Sequence, residues 1–280
     1  MKRILVTGAN KGIGLAIVQA LLQHHTDTFV LLGSRDLERG EQAMRALLDT
    51  NAAWQNRVDV VQLDVTDDIS VRNAADSISQ QFGQTPLYGL VNNAGTWAGG
   101  AQTIIDVNTN GPRRVCDAFV DLIENDGRVV NVSSAAGPTF IAKSDPQLQQ
   151  FLTNPDITWA QIAQAIHDYL TNSAEDSGSD YGFSKACLNA YTLLLAKQFP
   201  RLRVNACTPG FIETDLTRPF AKNSGMTPAQ MGMKPPAAGT VSTMFLLLGD
   251  PKSGHYYGSD AVRSPLDRYR APGDPPYTGA

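Results

Sequence analysis

Short apolar runs alternate along this chain with stretches whose apolar positions recur at helical spacing. Ile4–Val6, Phe29–Leu32, Val58–Leu63, Leu87–Val91, Arg128–Val132 and Arg203–Ala206 read as strands. They are rich in Val and Leu rather than alternating apolar with polar, as expected of a parallel sheet covered on both faces. Between them lie the helical patterns Ile13–Gln23, Leu37–Leu48, Ile69–Phe82, Pro112–Ile123, Tyr181–Phe199 and Ala237–Leu248. Repeated β-α units require right-handed crossovers, so the expected fold is α/β, a doubly wound parallel sheet flanked by helices.

Two segments break the rhythm. Residues Gly137–Asp180 are inserted between the strand ending near Ser133 and the helix that carries Tyr181. Within them Trp159, Ile162, Ala163, Ile166 and Leu170 recur at helical spacing, which predicts an amphipathic helix over Thr158–Leu170. The tail Arg263–Ala280, with Pro265, Pro272, Pro275 and Pro276, predicts little regular structure. No internal repeat or second domain is visible, so residues 1–280 are expected to form one domain.

Composition narrows the function classes. The chain has 280 residues, 42% hydrophobic and 18% charged, enough for one sizeable α/β core. A net charge of −4 gives no basic field for nucleic acid. No apolar run is long enough to span a membrane. The N-terminal Met1-Lys-Arg-Ile-Leu-Val-Thr-Gly lacks an apolar h-region and cleavage site, so no signal peptide is expected. Cys116, Cys187 and Cys207 are scattered, and His24, His25, His167 and His255 have no ligand spacing. Neither a disulfide framework nor a metal site is expected, in keeping with a cytoplasmic protein.

Two motifs carry chemistry. Thr7-Gly8-Ala-Asn10-Lys11-Gly12-Ile13-Gly14 follows a strand and opens a helix. Its glycines allow a tight turn and close backbone approach, and the helix N-terminus offers N–H groups to a pyrophosphate. Tyr181-Gly-Phe-Ser-Lys185 places a phenol and an ammonium at i and i+4 on one helix face. Opposite charge favours the phenolate, so Lys185 is expected to lower the Tyr181 pKa and make it a general acid near neutral pH. The second strand ends Leu32-Gly33-Ser34-Arg35 with no acid before Arg35, whose guanidinium suits a 2′-phosphate. Asp36, immediately after, could blur that preference.

With Asn92-Asn-Ala94-Gly95, Asn108 and Ser133-Ser134, these motifs resemble the short-chain dehydrogenase/reductase superfamily. The similarity is greatest to its monomeric carbonyl reductase group, and it runs from Arg3 to about Tyr257. It implies a Rossmann-type fold, and Lys11 as a second cation favouring NADPH over NADH. It implies that Asp64, with Val65 beside it, meets adenine. Asn92 and Ala94 would lie near the adenosine ribose with Gly95 in the same cofactor site, the asparagines also having a structural share. The turn with Pro209 and Gly210 would lie over the nicotinamide, Ile212 meeting its carboxamide and Thr214 lying near a phosphate. Ser134 would donate to a substrate carbonyl, with Ser133 as rival. Asn108 would hold a water linked to Lys185, with Asn110 as rival. Lys185 would also bind the nicotinamide ribose.

The implied reaction is NADPH-dependent reduction of ketones or aldehydes to alcohols. Candidate pocket residues are Trp97, Phe140, Ile141, Phe211 and the Met/Pro/Gly-rich Leu216–Lys234, all of which could instead serve packing or a lid. They suggest an apolar or aromatic small-molecule carbonyl substrate. Cys207-Thr208 replaces the Cys-Cys of the best-known carbonyl reductases. A biosynthetic ketoreductase for one metabolite is a second reading, and a non-catalytic NADP(H) sensor a third. Retention of Asn108, Ser134, Tyr181 and Lys185 speaks against the sensor. No nucleic-acid or membrane partner is expected. The insertion is expected to cover the usual dimer helices and leave a monomer; a new dimer contact or a lid over the cleft are the alternatives.

Overall fold

The structure, a computed structural model, describes residues 1–172 and 177–279. Strand β1 (Lys2–Val6) leads through the glycine-rich turn into helix α1 (Gly12–His24). Strand β2 (Thr28–Ser34), helix α2 (Leu37–Thr50), strand β3 (Val58–Gln62) and helix α3 (Asp68–Phe82) complete the first half. Both later helices start on carboxylate caps. Asp36 accepts from Arg39 N at 3.1 Å, and Asp67 accepts from Ile69 N at 2.8 Å.

Strand β4 (Leu87–Asn92) is followed by helix α4 (Gly100–Ile105), a π-helical turn over Asp106–Asn110, and helix α5 (Gly111–Phe119). The apolar pattern placed this helix at Pro112–Ile123. Its regular part starts at Gly111, continuing from α4, whose own start Gly99 and Gly100 mask. It ends earlier, because Val120–Leu122 tighten into a 3₁₀ turn and Ile123 already belongs to strand β5 (Ile123–Val132). Helices α6 (Ala136–Lys143), α7 (Pro146–Leu152) and α8 (Trp159–Asn172) fill the insertion, where only the last was expected. Residues 173–176 of that insertion lie outside the described residues.

Helix α9 (Ser177–Gln198) starts before Tyr181, so the Tyr and Lys both sit inside regular helix. Strand β6 (Arg203–Cys207), helix α10 (Arg218–Asn223), helix α11 (Val241–Leu248), and strands β7 (His255–Tyr257) and β8 (Arg263–Ser264) follow. Helix α10 lies inside the segment expected to be a flexible loop. The tail is less irregular than its prolines suggest. It supplies β8, and the buried Arg270 donates to Ser264 Oγ at 3.0 Å, to the Asp274 carbonyl at 2.7 Å and to Asp260.

The sheet order is β3-β2-β1-β4-β5-β6-β7-β8, parallel throughout except for β8. Alternate residues of β1 serve opposite faces. Leu5 joins Leu31, Leu90 and Val129 in one core beneath α5 and α9; Ile4 and Val6 join Val30, Val91 and Val130 in another beneath α1 and α11. Each such buried aliphatic side chain contributes about 1.5–3 kcal/mol. The chain reverses direction along the sheet between β1 and β4, and ligands of open α/β sheets bind beyond the carboxyl ends of the strands at that point. Thr7, Asn93 and Ser133 all lie there.

Candidate active site

The glycine-rich turn packs so closely against the loop after β4 that side chains could not be accommodated at Gly8 or Gly14. Gly8 and Gly12 have φ of 61° and 59°, the left-handed region. A Cβ at Gly8 would stand 2.9 Å from Ala94 Cα, and one at Gly14 would stand 2.5 Å from Asn93 Nδ2. Asn93, absent from the sequence-derived set, clamps the turn by donating from Nδ2 to Thr7 O at 2.9 Å and Gly8 O at 3.2 Å. Thr7 Oγ1 accepts from the backbone N–H groups of Asn93 and Ala94, each at 3.0 Å. Thr7 and Ala94 are thus joined, and Asn10 and Ile13, at the turn and the start of α1, are partly buried. The tight turn and the adjoining helix N-terminus, with its N–H groups, fit a dinucleotide pyrophosphate.

Asn92 does not face this turn. It is buried, and its Nδ2 donates to Asn131 Oδ1 at 2.8 Å and contacts Cys116 Sγ at 3.3 Å. Asn131 in turn donates to Thr192 Oγ1 at 2.9 Å. These bonds tie β4, β5 and α9 together, because the alternation of β4 turns Asn92 inward while its neighbours Asn93 and Ala94 reach the cleft.

The charged rim is partly neutralised. Lys11 pairs with Asp215 at 2.7 Å, and the exposed Arg35 stands 4.0 Å from Asp64. Asp64 Oδ1 accepts from Thr66 N at 2.9 Å and from its hydroxyl at 2.7 Å. Val65 is buried against Gly111 and offers its carbonyl to Arg114. Asp36 spends its carboxylate on the α2 cap and on Arg39. Across the cleft, Gly210 has φ of 90° in the Pro209–Phe211 turn. Ile212 is buried, and Thr214 Cγ2 would be 3.4 Å from a Cβ at Gly12.

The four residues expected to act together do converge. Ser134 Oγ accepts from Ala136 N at 3.1 Å and is near enough to the Tyr181 hydroxyl to hydrogen-bond its ionised form. Ser133 is buried and donates instead to the Lys185 carbonyl at 3.3 Å, which separates the two serines. Lys185 is buried, its Nζ donating to Val132 O at 3.0 Å and lying 5.7 Å from the centre of the Tyr181 ring. Asn108 is buried in the π-helical turn, accepting from Thr96 N and donating to Thr96 O, both at 2.9 Å, and to Ser184 Oγ at 3.0 Å. Pro112, four residues on, has no N–H to return to the Asn108 carbonyl. A Cβ at Gly95 would stand 3.3 Å from Asn108 Oδ1 and 3.7 Å from Lys185 Nζ.

Electrostatics correct one expectation. Burial pushes the Tyr181 phenol up to about 12, and the Ser134 hydrogen bond only partly offsets it. Burial likewise brings Lys185 down to about 8, against a smaller opposing effect of nearby Cys207. Desolvation therefore outweighs the expected lowering of the phenol by the ammonium.

Of the proposed pocket residues, Trp97 lies against the Tyr181 ring at 4.4 Å and 35°, with Phe220 of α10 edge-on to it at 5.0 Å. Phe220 lies within the Leu216–Lys234 segment expected to line the pocket, although not singled out there. Phe211 is 42% exposed on the facing turn. Ile141 is fully buried in the core, and Phe140 packs edge-on against Phe183 at 5.6 Å. These two serve the contact of α6 with α9 and do not join Trp97.

The chain matches the family profile for short chain dehydrogenases over residues 2–144. It is 32% identical over 252 residues to (+)-neomenthol dehydrogenase of Arabidopsis thaliana, covering 76% of this chain and 83% of that protein. It is 31% identical over 260 residues to carbonyl reductase (NADPH) 1 of Homo sapiens, covering 84% and 91%. The structure of salutaridine reductase from Papaver somniferum superposes with a TM-score of 0.77 at 28% identity, covering 92% of this chain and 99% of that one. The chain belongs to the short-chain dehydrogenase/reductase family, oxidoreductases that act on carbonyl or hydroxyl groups with a nicotinamide cofactor.

Proposed function

We propose that this protein reduces ketones or aldehydes to alcohols with NADPH, as one domain with the insertion and tail folded onto it. The observation that carries the reading is the meeting of Ser134 and Tyr181 hydroxyls beside the buried Lys185 ammonium, at the rim of the glycine cradle. Thr7–Gly14, Arg35, Asp64, Ala94, Gly95 and the Pro209–Thr214 turn would hold the cofactor. When bound, its nicotinamide supplies the hydride.

Ser134 takes the Ala136 N–H on its oxygen, which leaves its own O–H to point at a substrate carbonyl oxygen. Tyr181 gives that oxygen its proton as negative charge develops there. A raised phenol pKa keeps the proton in place at neutral pH, which suits the reducing direction. Lys185 holds positive charge close to the phenolate once the proton has left. The Asn108 carbonyl, to which Pro112 offers no i+4 N–H, would accept the water that returns a proton by way of Lys185. Trp97, Phe211 and Phe220 present apolar rings, so the substrate offers an apolar body beside its carbonyl.

A reductase dedicated to one metabolite differs only in pocket shape, and the likeness to (+)-neomenthol dehydrogenase favours a cyclic apolar ketone in that case. The test is an NADPH-oxidation screen over a carbonyl panel, with NADH in parallel. Turnover of cyclic or aromatic ketones with NADPH supports the reading. Cofactor binding without turnover of any carbonyl overturns it in favour of a sensor.

A further inference from the structure

Tyr169, on the inserted helix α8, grips the helix that carries Tyr181 on both sides of that residue. Its hydroxyl donates to Asp180 Oδ1 at 3.0 Å. Its ring stacks flat on Phe183, with centroids 4.0 Å apart and planes 8° from parallel. Asp180 directly precedes Tyr181, and Phe183 follows it by two. Both partners are almost wholly buried, at 2% and 1% exposure. Phe140 of α6 meets the Phe183 and Tyr169 rings edge-on at 5.6 and 6.4 Å. A Cβ at Gly182 would stand 3.0 Å from Phe140 Cβ, so α9 already lies as close to α6 as its backbone permits.

Packing alone does not require this arrangement. Asp180 lies in the first turn of α9, where the helix dipole already favours a carboxylate. A buried carboxylate still needs a donor, and an apolar pair of similar size would stabilise the fold as well or better. What the phenol–carboxylate bond adds is a single geometry for the turn that presents Tyr181. Proton transfer is sensitive to such geometry, since a displacement of about 1 Å can cost about a hundredfold in rate.

We infer that Tyr169 is a positioning residue: through Asp180 and Phe183 the insertion fixes where the Tyr181 hydroxyl meets the substrate oxygen. The inference rests on the proposed role of Tyr181 as acid. The experiment compares wild type with Tyr169→Phe, Asp180→Ala, Asp180→Asn and the Tyr169→Phe/Asp180→Ala double variant. Tyr169→Phe keeps the ring stack and removes one oxygen. It should lower kcat about tenfold, with KM and the NADPH Kd unchanged. Asp180→Ala should do the same, and the double variant should be no worse than either single, because both remove one shared bond. Asp180→Asn keeps an acceptor oxygen and should retain most of kcat. Wild-type kcat in Tyr169→Phe overturns the inference, as does a loss of NADPH affinity matching the loss of rate, or single effects that multiply in the double variant. If Asp180→Ala does not fold, the kcat and Kd of Tyr169→Phe decide alone. A wild-type protein that reduces no carbonyl overturns the functional reading itself, an outcome distinct from an active wild type with an unaffected Tyr169→Phe.

Discussion

Lys11 and Asp215 form an ion pair of 2.7 Å that ties the glycine-rich turn to the loop after β6. Asp215 also accepts from Arg218 at 2.7 Å, and the Lys11 contact leads in holding its carboxyl below the usual range. Lys11 therefore already has a carboxylate partner, whereas Arg35 has, among the described residues, only the 4.0 Å approach of Asp64.

Cofactor choice should follow that difference. Arg35→Ala should raise the KM for NADPH about tenfold or more while leaving NADH nearly unchanged, since it removes a charge-assisted bond to the 2′-phosphate. Lys11→Ala should act in the same direction but less. Asp215→Asn should lower the KM for NADPH by freeing Lys11, and an exposed pair of this kind limits the gain to a few-fold. Steady-state kinetics with both cofactors measure all three. Equal effects on NADPH and NADH would show that these residues do not read that phosphate.

Tyr181→Phe should remove the acid and leave the cradle intact. The expected loss in kcat is about 10²- to 10⁴-fold, with NADPH affinity nearly unchanged, because the hydroxyl acts in the transition state. Turnover of an apolar ketone and fluorescence titration of NADPH separate the two quantities. Retention of most of the rate would remove Tyr181 from its assigned role.

The pH profile follows from the two shifted groups. Reduction requires the phenol protonated and Lys185 charged. Tyr181 is raised to about 12 by burial and so keeps its proton across the ordinary range. Lys185 is lowered to about 8 by burial, so its charge is present below that value and lost as pH rises through it. The kcat for reduction should therefore hold at neutral pH and fall with a midpoint near 8. Alcohol oxidation requires the phenolate and should gain at higher pH. A reduction rate flat up to pH of about 10, near the ordinary lysine value, would contradict the role of the Lys185 charge.

The α/β fold was readable because the strands of a doubly covered parallel sheet are continuous apolar runs. The four converging residues were readable because each lies at a strand end or on one helix face. What escaped has physical causes. Asn92 and Asn93 are adjacent and identical in type, and only strand alternation sends one into the core and the other to the cleft. The start of α4 is hidden by Gly99 and Gly100, which weaken helical pattern without forbidding a helix. The direction of the Tyr181 shift depends on burial, a tertiary quantity that the Tyr-x-x-x-Lys spacing does not contain. Arg270 is anchored by Asp260, ten residues earlier in a turn of ordinary composition.

The insertion also bears on assembly. Ile162 and Ile166 of α8 are buried in the core shared with α9, and Leu170 packs beside them. Trp159 lies edge-on to Tyr191 of α9 at 5.7 Å, and the Arg113 guanidinium of α5 stacks over it at 4.2 Å. The apolar side of α8 is thus spent on α5 and α9, the helices expected from the sequence to carry the usual dimer contact. A second copy would meet the polar face of α8 instead, where Gln164 and Asn172 both bond to Asp168 of their own helix. The chain is therefore predicted to be a monomer in solution. Light scattering over a concentration series should give 30.1 kDa throughout, and a stable mass of twice that would refute it. Trp159→Glu tests the cause, since a charge there disrupts the contact with Tyr191 and lets the α5–α9 face emerge. Its thermal midpoint should fall and its mass should rise with concentration. A variant that is destabilised yet monomeric at every concentration would mean that α8 is not what keeps two copies apart.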